Sequence, residues 1–118
     1  MTDYEKNLGI ITKEGEKRKM QKQIQKLESE LKIARVAKEQ CFREYSKALA
    51  DFEEAREAVE KAFHSNSEDL PKLNDHYWRL EKEVEHTRKE FDAVQRSYAH
   101  IYNMFIQKHI ILSELDNS

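Results

Sequence analysis

Glycine and proline are almost missing from this chain: Gly9, Gly15 and Pro71 are the only three in 118 residues. These residues punctuate a polypeptide, so few turns fit and long helical stretches follow. Cysteine occurs once, at Cys41, which excludes an internal disulfide framework and fits a reducing compartment. No apolar run approaches the ~18 residues of a membrane-spanning helix. The opening residues, Met1 to Lys6, lack the charged-then-apolar layout of a secretory signal. A cytoplasmic chain is expected. A basic excess is missing too: the net charge is −2, whereas nucleic-acid binders carry a marked surplus of Lys and Arg. Nucleic acid is therefore not an expected partner.

What fills the chain instead is Ala, Glu, Lys, Leu and Arg, which occupy 56 of the 118 positions, the composition of long helices and coiled coils. From Met20 onward, apolar or small residues recur at alternating steps of four and three: Met20, Ile24, Leu27, Leu31, Ala34, Lys38, Cys41, Tyr45, Ala48, Phe52, Ala55, Val59 and Ala62. A second series keeps the rhythm through Leu73, Tyr77, Leu80, Val84, Thr87, Phe91, Val94, Tyr98, Ile101, Phe105, Lys108, Leu112 and Leu115. Only Lys38, Thr87 and Lys108 break the apolar pattern. A seven-residue repeat sustained for about six heptads predicts a left-handed coiled-coil seam.

Between the series lies His64-Ser65-Asn66-Ser67-Glu68-Asp69-Leu70-Pro71, rich in capping residues and closed by the single proline. Ser67 or Asp69 can cap a following helix, and Pro71 suits its first turn. So short a connection forces the helices antiparallel, with residues whose numbers sum to about 135 facing each other. The expected fold is all-α: a long antiparallel coiled-coil helical hairpin that dimerises into a larger helical bundle. Its parts are a helix over 13–64, a turn over 65–71 and a helix over 72–115. Gly9 and Gly15 each cost about 1 kcal/mol inside a helix, so residues 1–12 are expected to be frayed or flexible.

The outer positions are not uniform. Lys19 and Lys22 stand outward near the start of the first helix. The second carries Arg79, Lys82, His86, Lys89, Arg96 and His100 at steps of three to four, a basic stripe with no acid between them. Such a face suits anionic lipid headgroups, each cation contributing about 1 kcal/mol; as a solvated face it needs no ligand. Off the seam, Ile33, Val36, Tyr102, Ile106, Ile110 and Ile111 fall at the end distant from the turn, where two helices alone would expose them. Exposed patches of this kind mark interaction surfaces, so oligomerisation is expected there.

Catalytic and metal chemistry find no support in the pattern. Glu83 and His86 supply one Glu-x-x-His step, but di-iron bundles need it on two helices with further inward glutamates. Cys41 sits on the seam, where thiols are usually buried and inert. No nucleophile triad, phosphate-binding glycine loop or Cys-x-x-Cys pair is present. The expectation is no enzyme, no cofactor and no metal.

The run Lys13-Glu14-Gly15-Glu16-Lys17-Arg18-Lys19-Met20-Gln21-Lys22, then Lys32 to Lys38, Tyr45-Ser46-Lys47-Ala48 and the acidic stretch Glu53 to Ala62, resembles the middle of an F-BAR domain. The resemblance covers about residues 5 to 105 and matches that domain's second and third helices. It implies a homodimer that lies on anionic bilayers through a basic face, a peripheral membrane scaffold without catalysis. The cations nominated for that face, Lys19, Lys22, Arg79, Lys82, Lys89 and Arg96, come from the helix-face reading. The alternative is a coiled-coil tether or cytoskeletal adaptor that binds a partner protein helix.

Overall fold

The computed structural model describes the backbone of residues 3–117 and the side chains of residues 12–117. It is all-α: α1 runs Asp3–His64 and α2 Leu70–Asn117, paired as a long helical hairpin with no strand among the described residues. The helices divide into two compact units, Met1–Arg35 with Ser97–Ser118, and Val36–Arg96. Each unit contains a stretch of both helices.

The heptad decides what is covered. With Ile24 and Tyr77 assigned to position a, all thirteen seam residues of each helix are buried or half-buried. In α2 no other residue from Pro71 to Asn117 is covered. The a positions carry the bulk: Leu31, Tyr45, Phe52 and Val59 on α1, and Val84, Phe91, Tyr98 and Phe105 on α2. From Ala34 onward the d positions of α1 are all small: Ala34, Cys41, Ala48, Ala55 and Ala62. In the unit 36–96, Phe52 stacks on Tyr77 with centroids 4.9 Å apart, and Tyr45 lies parallel to Phe91 at 6.1 Å. In the other unit Lys17 reaches Asp116 across the pair at 3.1 Å. These partners match the antiparallel register expected from the turn.

The polar exceptions are accommodated locally. Thr87 is only 6% exposed, and its hydroxyl donates to its own helix, to the carbonyls of Glu83 at 2.9 Å and Val84 at 3.1 Å. The hydroxyl therefore satisfies itself without a partner from α1. Lys38 and Lys108 are half-buried, and a lysine at such a position can lay its apolar stem along the seam.

The turn is a Schellman closure. Asn66 adopts φ 54°, the left-handed region that asparagine tolerates better than most residues. Ser67 N donates to the Ala62 carbonyl at 2.9 Å and Asn66 N to that of Phe63 at 3.4 Å, the two bonds that define the motif. Asp69 then caps α2, its carbonyl accepting from Leu73 N at 3.0 Å. The Ser67 hydroxyl accepts from Asp69 N at 3.1 Å.

Two boundaries differ from the sequence reading. α2 begins at Leu70 rather than 72 and ends at Asn117 rather than 115; Pro71 falls in the first turn, where its missing N–H costs no hydrogen bond. α1 is helical from Asp3 rather than Lys13, although the side chains before Thr12 lie outside the described residues. A glycine penalty of about 1 kcal/mol does not halt a helix already nucleated, because propagation adds a hydrogen bond per residue. At Gly15 an added Cβ would meet nothing within 4 Å, so no packing demand explains that glycine.

Candidate interaction surface

Heptad phase gives the hairpin two unlike flanks. Around a helix the positions run a, e, b, f, c, g, d, so e and b adjoin a, whereas g and c adjoin d. In an antiparallel pair, like positions of the two helices share a flank.

Inter-residue ring contacts in the unit 36–96 gather on the a side. Phe42, at e, meets Phe91 at 5.5 Å, and Trp78, at b, lies edge-on to Tyr77 at 5.5 Å. Phe42 and Trp78 are nevertheless more than half exposed, as is Phe63, also at e. The d side of the same unit is acidic. Glu44, Asp51, Glu83 and Glu90, all at g, line an open groove with Lys47 and His86, over a floor of Ala48 and Thr87. It continues past Asp51 along Glu54, Ala55, Ala58 and His76. Cys41 borders it, half-buried; burial raises its thiol pKa, and the charges of Glu44 and Glu90 raise it further.

The expected lipid-binding cations do not behave alike. In the unit 36–96 the stripe of α2 is not free of acid: Lys89 approaches Glu85 at 3.8 Å and His86 contacts Glu90 at 2.8 Å. Glu85 also takes Arg88 at 2.8 Å. These acids flank the stripe at steps of four, so the basic run read along one face is partly answered by neighbours on the same helix. Arg96 turns its Nε toward the Asp92 carbonyl at 3.4 Å. Arg79 and Lys82 are exposed and lack a carboxylate partner among the described residues. In the other unit, so are Lys19 and Lys22.

The off-seam apolar residues are exposed as expected: Ile33 72%, Val36 60%, Ile110 52%, with Tyr102 and Ile106 less so. They do not form a single patch. Ile33 occupies c of α1, on the d side, and Val36 the outward f, whereas Tyr102 and Ile106 occupy e and b of α2, on the a side. Tyr102 stacks on Tyr98 at 6.3 Å, consistent with that placement. Ile111, at g, is exposed as expected.

Among the described residues no three metal-ligating side chains converge, and His86 is engaged by Glu90 rather than by Glu83. Among the described residues no helix is long and apolar enough to cross a membrane. Comparison with models of protein families, with curated proteins and with solved structures finds no match.

Proposed function

We propose that this hairpin is a non-catalytic scaffold of BAR or F-BAR type, which self-assembles and associates with anionic phospholipid surfaces. The observation that carries the reading is the exposure of large apolar residues along both helices, Ile33, Ile106 and Ile110 among them. Burying each is worth about 1.5 to 3 kcal/mol, a driving force that two helices leave unused. The lipid contact is assigned to exposed cations, with Arg79 and Lys82 on α2 and Lys19 and Lys22 on α1 ahead of Lys89 and Arg96, whose charge or donor is already engaged.

Co-sedimentation with vesicles of anionic against neutral lipid tests it. Binding should require anionic lipid, and replacing Arg79 and Lys82 with Gln should weaken it roughly fivefold per cation, about thirtyfold together. The same change at Lys89 should matter less. Equal sedimentation with neutral vesicles, or no binding at low salt, rejects the lipid part.

A second reading, a coiled-coil tether or cytoskeletal adaptor that binds a partner protein helix, is favoured by the ion pairs that answer the α2 stripe, Lys89 with Glu85 and His86 with Glu90. On that reading the scaffold assembles but ignores vesicles.

A further inference from the structure

Within the unit 36–96, the flank formed by the b and e positions of both helices carries a row of large apolar residues. Phe42, Leu49 and Phe63 occupy e positions of α1, one or two heptads apart, and the e position that interrupts them is Arg56. The antiparallel register sets Trp78 of α2 level with that interruption, and Arg56 is drawn aside to Glu53 at 2.7 Å. Four apolar anchors therefore recur at about one heptad, near 10.5 Å, along some three heptads of the hairpin. Leu49 is half-buried, but Phe42, Trp78 and Phe63 are 53%, 53% and 66% exposed. Because the row steps from α1 to α2 at Trp78 and back, an occupant must lie along both helices. A third helix with its own heptad repeat meets anchors at that spacing.

The charges on this flank are one-sided. Its b and e positions hold six acids and two arginines. The arginines are already answered, Arg56 by Glu53 and Arg88 by Glu85. The other carboxylates, Glu39, Glu60, Glu81 and Asp92, are exposed and have no cationic partner among the described residues. Every other Lys or Arg of the unit lies at c or f, farther round its helix, or in the seam at Lys38. An acidic flank repels the same flank of a second copy, and it repels anionic headgroups as well. Lys and Arg beside an apolar stripe match it.

We propose that this flank is the docking groove for an amphipathic helix of another protein, rich in Lys or Arg and apolar at heptad spacing. The inference rests on the partner-helix reading given above and adds the surface and the chemistry of the partner. The aromatic anchors supply the contact area, and the four unanswered carboxylates set the orientation and select the charge of the incoming helix. The α2 cations at c and f remain uncovered by such a helix.

Trp78 is the chain's only tryptophan, so its emission reports whether this flank is covered. The probe is a synthetic tryptophan-free peptide of about four heptads with Leu at a and d and Lys at e and g; its counterpart carries Glu in place of Lys. At low salt the lysine peptide should shift Trp78 emission to the blue, and the glutamate peptide should not. Phe42→Ala with Phe63→Ala should weaken binding of the lysine peptide roughly tenfold or more. Glu60→Lys with Glu81→Lys should remove the preference for the lysine peptide. All four side chains are exposed, so helicity by circular dichroism should match the parent.

Lysine-peptide binding that leaves Trp78 emission and the affinity of both variants unchanged overturns this surface alone. Equal shifts with the two peptides overturn the basic partner. Failure of either peptide to bind overturns the partner-helix reading together with the groove. A blue shift produced by raising the concentration of the chain itself, or by anionic vesicles without peptide, assigns the flank to a second copy or to lipid and overturns the proposal.

Discussion

Replacing Leu27 with Ala should destabilise the hairpin far more than replacing Ile33 with Ala, although the two lie six residues apart on one helix. Leu27 is 6% exposed and Ile33 72% exposed. Leucine to alanine withdraws three carbons from the seam at about 0.8 kcal/mol each, about 2.4 kcal/mol. The cavity penalty adds little, because a site bounded by one partner helix can collapse. At Ile33 only about a quarter of the same transfer energy is at stake, about 0.6 kcal/mol, and alanine's better helix propensity returns most of it. Urea unfolding followed by circular dichroism at micromolar concentration should therefore show a loss near 2.4 kcal/mol for Leu27→Ala and close to zero for Ile33→Ala. Raising the concentration separates the roles: once dimers form, Ile33→Ala should begin to cost stability, because a ligand that binds only the folded state stabilises it by mass action. Equal losses for both variants at every concentration would refute the argument, since exposure in the single hairpin would then not determine the cost.

Other outcomes follow from local geometry. Thr87→Val should raise stability by about 1 kcal/mol, since the hydroxyl bonds only to its own helix and valine keeps the shape; thermal unfolding checks this. Asn66→Gly should be nearly neutral, whereas Asn66→Val should cost about 2 kcal/mol because a β-branched residue resists positive φ, as read from urea midpoints. Alkylation of Cys41 by iodoacetamide at neutral pH should be slower than that of a free thiol, because burial and two neighbouring carboxylates keep it protonated. Glu44→Gln should speed it modestly.

The seam and the turn were legible because each depends on one periodicity or a few neighbouring residues. A step of four and three needs only the identity of each position, so even Thr87 and Lys108 could be placed on the seam against their polarity. The start of α1 at Asp3 differs from the expected Lys13 because glycine raises the cost of a helix without stopping one already nucleated. The flanks were harder. Ile33 and Tyr102 stand at the same end of the antiparallel pairing, but whether they share a side depends on the rotation of each helix about its axis. Reading the residue before each a position, Glu44, Asp51, Glu83 and Glu90, would have revealed the acidic groove. The pairing of Lys89 with Glu85 is legible as a step of four, which the spacing of cations alone does not show.

The repeat of small d residues on α1 has a mechanical corollary. Moving α1 by one heptad past α2 brings Ala48 to the place of Ala55 and Tyr45 to that of Phe52, so side-chain size hardly opposes the slide. Lys38, carried to the place of Tyr45, is the one charged residue of the α1 seam after Leu31 that such a slide would set on an aromatic position. What prevents sliding is the connection: the left-handed Asn66 and the Asp69 cap join the helices with no slack, and a slip of one heptad would need about 10 Å more chain. The turn is thus a pawl on an otherwise smooth rack, and lengthening it with a flexible insert would free the helices to exchange between neighbouring alignments without unfolding either.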